Sequence, residues 1–421
     1  MLRFIKKRFR LFCMLLILGG ILSIAKGLKP SAAKEESVHH PWISAMWLSQ
    51  FDLAPILTHH DAQREKKDYT ERIRILLNNI QANGINTLFV QVRPNGDSLY
   101  PSDLFPSSAY AVGKTGTAFL YDPFAILLEL AHERNLSVHA WINPLRLFSD
   151  VTQIKLSEDF PALQWCRDNN GRAVLVDGIW YLNPAYEETR KLVSAGAAEI
   201  LDRYAVDGIH IDDYFYPTTS ESFDHIAFAE YQKKGGTCSL GDFRRDAVNR
   251  LVASLYQTVH TAKGSHKFGI SPSGNAQRNY EELYADVAHW CANTGYVDYI
   301  CPQIYFGLEH GTHDFRSVAA QFDAMIQEES VALYIGMTLE KAYNGFYGKE
   351  DIYAKTGSRE WIESQNVLAR CFTYTQELRH ANGVAFFSYR LLFSTESGNM
   401  LKATEKEWQA LLPLLMKKGK K

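Results

Sequence analysis

Eight apolar, strand-like runs recur along the chain, each followed by a segment patterned like a helix. That alternation restricts the fold more than any other feature. The runs are Ile43–Phe51, Ile85–Val92, Ser137–Asn143, Gly208–Tyr214, Lys267–Ser273, Tyr296–Tyr305, Val331–Thr338 and Gly383–Arg390. Helical patterning fills 71–83, 123–135, 186–204, 241–263, 280–293, 314–328 and 358–381, with 404–416 after the last run. Strands separated by helices pair in parallel, because a tight hairpin can only reverse the chain. Eight such units define an α/β chain of (β/α)8 TIM-barrel class with long βα loops. An open doubly wound sheet is the alternative. It is weakened by the lack of a glycine-rich phosphate loop after the first run.

Local punctuation agrees with this layout. Asp122-Pro123 and Asn183-Pro184 read as helix starts, with Asp as N-cap and Pro at the first helical position. Asn83-Gly84 and Asn382-Gly383 read as left-handed helix ends just before strands. The intervals after strands (93–122, 144–185, 214–240) are long, whereas those before strands are short. In a barrel the long intervals are the βα loops, where sites are built. Residues 144–185 are expected to form a small excursion turning at Asn169–Gly171.

The N-terminus predicts export. Arg3, Lys6, Lys7, Arg8 and Arg10 precede the uncharged run Leu11–Ala25, which ends on the small residues Ser23 and Ala25. This is a signal-peptide pattern, and the run is short of the ~20 residues a stable span needs. The expected organisation is a signal peptide or N-terminal membrane anchor at 1–25 and a linker at 26–40. The (β/α)8 domain follows at 41–416, with a basic tail at 417–421. Such a chain is secreted or held at the cell envelope, touching membrane only if the segment is uncut.

Composition excludes other classes. With a formal net charge of -2, nothing favours a nucleic-acid partner. Cys166, Cys238, Cys291, Cys301 and Cys371 are widely spaced and form no CxxC pair. They read as small buried hydrophobes rather than as a disulfide framework or zinc site. No metal or cofactor is expected.

The chemistry concentrates in Asp207–Pro217, DGIHIDDYFYP. A buried strand runs directly into two carboxylates and three aromatics. Carboxylates at a barrel rim transfer protons or stabilise charge, and aromatics stack on pyranose rings. Paired Asp residues also cap helices and occupy solvated turns. Candidate catalytic residues are Asp212 and Asp213. Other strand ends supply candidate substrate-binding residues: Asp52, Arg93, Asp97, Trp141, Asn143, His210, Tyr214, Tyr216, Asn275, Gln303, Tyr305 and Tyr389. So many polar and aromatic endings suit a polyol better than an apolar ligand. Structural roles compete with several of these. Arg93 reads equally as an ion-pair partner, His139 and His210 as barrel-interior histidines, Trp141 and Trp180 as core, and Glu340 as a capping or solvated residue.

Five stretches together resemble the glycosyl hydrolase-like 10 family of barrel proteins. They are Gly84–Tyr100, Tyr121–Trp141 with Asn143-Pro144, Asp207–Pro217, Ile270–Gly274 and Tyr296–Tyr305. The resemblance spans nearly all the chain after the linker, and DGIHIDDYFYP is its most specific part. It implies a glycoside hydrolase acting outside the cytoplasm on a bacterial cell-wall glycan, peptidoglycan strands above all.

Two mechanisms fit the acid pair. Standard glycosidases separate their carboxyls by ~5–5.5 Å or ~6.5–9.5 Å across the scissile bond. Neighbours on one strand point to opposite faces and do not flank a bond in that way. Adjacent acids suit substrate assistance, in which the sugar's N-acetyl oxygen attacks. Asp212 would then orient the acetamide and Asp213 would act as general acid/base, or the reverse. The rival scheme makes Asp212 a covalent nucleophile, with Asp97 or Glu340 as acid. A glycan-binding protein without turnover is a second function class.

Overall fold

The computed structural model describes residues 40–149 and 160–418. The expected leader, the linker up to residue 39 and the end of the tail lie outside these residues. Eight parallel strands close a barrel: β1 Ile43–Leu48, β2 Thr87–Arg93, β3 Ser137–Ile142, β4 Gly208–Ile211, β5 Lys267–Ile270, β6 Tyr299–Ile300, β7 Ala332–Thr338 and β8 Ala381–Phe387. Each strand neighbours the next in sequence, and β1 closes the ring on β8 with Ile43 opposite Gly383. Eight helices follow the strands in turn: α1 Lys66–Ala82, α2 Pro123–His132, α3 Glu187–Arg203, α4 Leu240–Thr261, α5 Val287–Ala292, α6 Phe315–Met325, α7 Val367–Thr375 and α8 Lys402–Lys418. The fold is therefore the (β/α)8 barrel that the alternation implied.

Every expected strand forms, but β1, β4, β5 and β8 end three residues early and β6 five, whereas β7 ends as expected and β2 runs one residue further. The polar residues beyond each end curl into the βα loops. After β1 the chain enters a helix at Gln50–Leu57, a segment whose start the sequence assigns to strand. Asn83-Gly84 ends α1 as expected, with Gly84 at φ +74°. Asn382-Gly383 does not end a helix. It lies inside β8, where a Cβ on Gly383 would stand 2.7 Å from the Ile43 carbonyl oxygen, so glycine permits strand contact there. Asp122 caps α2, its side chain accepting from the Ala125 amide at 3.0 Å, with Pro123 at the first position. Asn183 instead closes an Asx turn on Ala185, and α3 begins only at Glu187.

The 144–185 excursion carries a helix, Pro161–Asp168, and a hairpin, Ala173–Val176 against Ile179–Leu182. Asn169 and Gly171 join them, while the hairpin turns at Asp177-Gly178, both at positive φ. At the C-terminus, Lys417 and Lys418 continue α8 rather than forming a tail, and the Lys418 ammonium sits 4.6 Å from the Trp42 ring centre. The five cysteines among the described residues are free, four buried and Cys238 partly exposed.

Two apolar compartments result. The larger lies between strands and helices. The smaller fills the barrel interior with Trp47, Phe89, Trp141, Tyr299 and Tyr334. Within it the Tyr299 hydroxyl stands 2.9 Å from Nδ1 of both His139 and His210. Trp47 Nε1 donates to His210 Nε2 at 3.2 Å, so that nitrogen accepts. His210 is therefore neutral, donates from Nδ1 to Tyr299, and Tyr299 donates on to His139. Burial lowers the pKa of both rings, His139 to about 4 and His210 well below 6.5. Both are interior histidines with a packing role.

Candidate active site

Above this interior layer, at the carboxyl ends of the strands, lies a pocket of about 230 Å3. Alternation along the strands decides what reaches it. Trp47, Gln91, Trp141 and Phe387 follow the inward face, and Asp212 continues that face one step beyond the end of β4. Because β4 stops at Ile211, Asp213 sits in the turn rather than on the opposite sheet face. Both carboxylates therefore line the same pocket, which strict strand geometry denied them. Seven expected residues meet here: Trp141, Asn143, Asp212, Asp213, Tyr214, Gln303 and Tyr305.

The two acids differ in environment. Asp212 is buried; its Oδ2 accepts from Trp141 Nε1 at 3.0 Å and its Oδ1 from the Tyr214 amide at 3.3 Å. Burial, then the Asp213 charge, raises its pKa well above the usual carboxylate range. Asp213 is more open, with Oδ1 accepting from Gln303 Nε2 at 3.2 Å and Arg278 4.0 Å from Oδ2. Burial raises its pKa too, opposed by Gln303 and Arg278. Such a pair favours one shared negative charge over two. A second chain of hydrogen bonds, from the Gln50 amide to Gln91 and from Gln91 to Asn143, fixes the opposite wall. Arg146 stacks its guanidinium 5.5 Å from the Tyr214 ring centre, and Nε donates to Asn95.

The other seven candidates lie elsewhere. Asp52 caps the helix after β1 and accepts from Ser388 Oγ (3.0 Å) and the Arg390 amide (2.6 Å), so it ties the β1 and β8 rims together. Arg93 follows a register shift after Gln91, which turns it out of the barrel. Its guanidinium packs on Phe105 at 4.3 Å, and it crowds Gly196 of α3, which has no side chain to clash with it. Asp97 is buried at an adjoining cavity, its pKa raised by burial to about 6. His210 lies in the layer below. Tyr216 is buried against Phe223 and Tyr284, with the Arg244 guanidinium 5.3 Å from its ring. Asn275 caps the helix Ala276–Glu281 that carries Arg278. Tyr389 is buried and accepts from Asn79 of α1 at 3.2 Å.

Trp47, Ser49, Pro94 and Phe387 also line the pocket and were not singled out. The period of two marks Trp47 and Phe387 as inward. Apolar identity hid them among core residues.

A parallel eight-stranded barrel with paired acids and aromatics at its carboxyl rim is of glycoside-hydrolase type. A family model described as Glycosyl hydrolase-like 10 matches residues 42–352, and the chain belongs to that family. It is 34% identical over 357 residues to Glycosyl hydrolase YngK of Bacillus subtilis (strain 168), covering 80% of this chain and 67% of that protein. Identity to Glycosyl hydrolase DigH of Escherichia coli (strain K12) is 31% over 348 residues, covering 75% and 76%. Among solved structures, the PgaB (BpsB) glycoside hydrolase domain from Bordetella bronchiseptica aligns with a TM-score of 0.55 at 11% identity, over 88% of this chain and 99% of that one. The catalytic domain of β-amylase from Paenibacillus polymyxa gives 0.55 at 10%, over 90% and 99%. At such identity these two bear on the fold alone.

Proposed function

We propose that the protein is an exported glycoside hydrolase that cleaves an N-acetylhexosamine-containing bacterial cell-wall glycan, peptidoglycan strands, with the help of the substrate's own acetamide. One observation carries the reading: Asp212 and Asp213 share one pocket but stand in different surroundings. Asp212, clamped by Trp141 and the Tyr214 amide, has the fixed orientation needed to hold an acetamide N–H and balance the charge that develops as its oxygen attacks the anomeric carbon. Asp213, more open and held by Gln303, suits proton delivery to the departing oxygen and then deprotonation of water. In the free pair burial favours the shared proton on Asp212, so the reversed assignment, with Asp212 as acid and Asp213 holding the acetamide, is the alternative. Asp97 and Glu340, the acids of the rival covalent scheme, line neighbouring cavities instead.

The test incubates the purified protein with peptidoglycan glycan strands, with and without stem peptides, beside Asp213→Asn. Mass spectrometry of the products reads the bond cleaved. New oligosaccharides from the wild type alone support a glycosidase. Binding without product from either protein would leave a glycan-binding barrel. A thiazoline inhibitor that fails to bind would count against acetamide participation. Export is tested by sequencing the mature N-terminus, where a start after Ala25 marks a cleaved signal.

A further inference from the structure

The loop between β7 and α7 gathers Phe346, Tyr347, Ile352 and Tyr353 on its surface, with Ile352 73% and Tyr353 76% exposed. Side chains this apolar are seldom left bare together without something to cover them. Ile352 and Tyr353 border a cavity of about 440 Å3 whose polar lining carries both signs, Glu340, Glu350 and Asp351 beside Lys341 and Lys349, together with the Asn344 amide. A neutral polyhydroxylated chain is what such a surface fits: ring faces on aromatics, hydroxyls on carboxylates and amines. An anionic membrane or nucleic acid calls for a basic face instead.

The cavity is linked to the acid pocket by shared walls. It shares Glu340 and Asn344 with a neighbouring cavity of about 460 Å3, which in turn shares Phe51 and Phe387 with the pocket that holds Asp212 and Asp213. The platform is also rigid. Lys341 pairs with Asp351 at 2.9 Å, fixing the segment that carries Ile352 and Tyr353 to the helix Glu340–Phe346. A Cβ on Gly345 of that helix would stand 2.3 Å from the Trp361 carbonyl oxygen. Buried Glu360 beneath accepts from the Glu309 amide at 3.0 Å and from Arg370 at 2.9 Å. A surface held this way loses little entropy on binding.

We propose that this loop, with Tyr353 and Tyr347 as ring platforms, is a distal sugar subsite that grips the glycan several units from the bond cleaved. The proposal rests on the glycosidase reading and makes the enzyme selective for long chains. The experiment measures affinity for peptide-free peptidoglycan strands sorted by length, in the Asp213→Asn background, with and without Tyr353→Ala and Tyr347→Ala. Wild-type kinetics on the same strands run in parallel. Long strands are expected to bind tighter than short ones, and the double substitution to lower that long-to-short ratio about tenfold. Thermal melts check that the exposed substitutions leave the fold intact.

A ratio unchanged by the substitutions, or no binding at any length, overturns the proposal. So does loss of phosphatidylglycerol-vesicle binding or of self-association in the variant, which assigns the patch to a membrane or a second copy. If the wild type binds but cleaves nothing, the catalytic reading fails while the binding ratio still decides the subsite.

Discussion

Asp212 illustrates how much a single side chain depends on its neighbours. Its carboxyl is buried, beside another acid, and the Trp141 N–H is one of three donors that restrain its pKa. Trp141→Phe keeps a ring in place and removes that donor. Turnover is expected to fall about tenfold, and the Asp212 pKa to rise further, moving the acid limb of the pH–rate profile upward. A profile displaced downward, or not at all, would contradict the role given to this bond. The adjacency of Asp212 and Asp213 was legible in sequence, as was the company of Trp141, Gln303 and Tyr305. That Asp213 joins its neighbour on one face was not, because it depends on β4 ending at Ile211. Arg93 was misplaced for a similar reason: one register shift moves a side chain from the pocket to the helix layer.

Elements hold the site by fixing its loops, and the loop after β4 is fixed by one buried arginine. Arg244 of α4 bonds Asp224 through Nε (2.9 Å) and Nη2 (2.6 Å), the Thr219 and Ser220 carbonyls at 3.1 and 2.7 Å, and Tyr284 at 2.9 Å. All five of its N–H groups are used, and both charges are fully buried. Arg244→Met leaves Asp224 charged without its partner, and urea unfolding is expected to show a loss of about 3–5 kcal/mol. A loss under 1 kcal/mol would mean the loop is held otherwise. The same loop decides Tyr216. Sequence placed it with Tyr214 on the rim, whereas packing against Phe223 and Tyr284 draws it inside. The Asn-Gly pairs diverge likewise. Gly84 ends a helix, yet Gly383 serves the closure of β8 on β1, a contact far apart in sequence.

Across the whole molecule, buried titratable groups set opposing pH dependences. Burial raises Glu407 to about 7 and Asp97 to about 6. Groups raised above their unfolded values add stability that is fully present below the unfolded pKa and is lost as pH rises from about 4 through the folded values of about 6 and 7. Burial lowers His139 to about 4, so its contribution is complete above 6.5 and is lost as pH falls toward 4. Glu407 accepts from the Val367 and Leu368 amides, both at 3.0 Å, at the start of α7. Glu407→Gln removes its titration. The stability difference is expected to shift by roughly 2–3 kcal/mol in the variant's favour between pH 4.5 and 7.5. Parallel melting curves across that range would show that Glu407 titrates normally. Sequence by itself determined the strand count, the parallel barrel, the rim that carries the acids and the family resemblance. All of these follow from local periodicity and from motifs a few residues long. Only the tertiary structure decided which rim residues share the pocket, which way Arg93 and Tyr216 turn, and which residues wall the neighbouring cavities. Those outcomes depend on register, strand ends and packing between segments hundreds of residues apart.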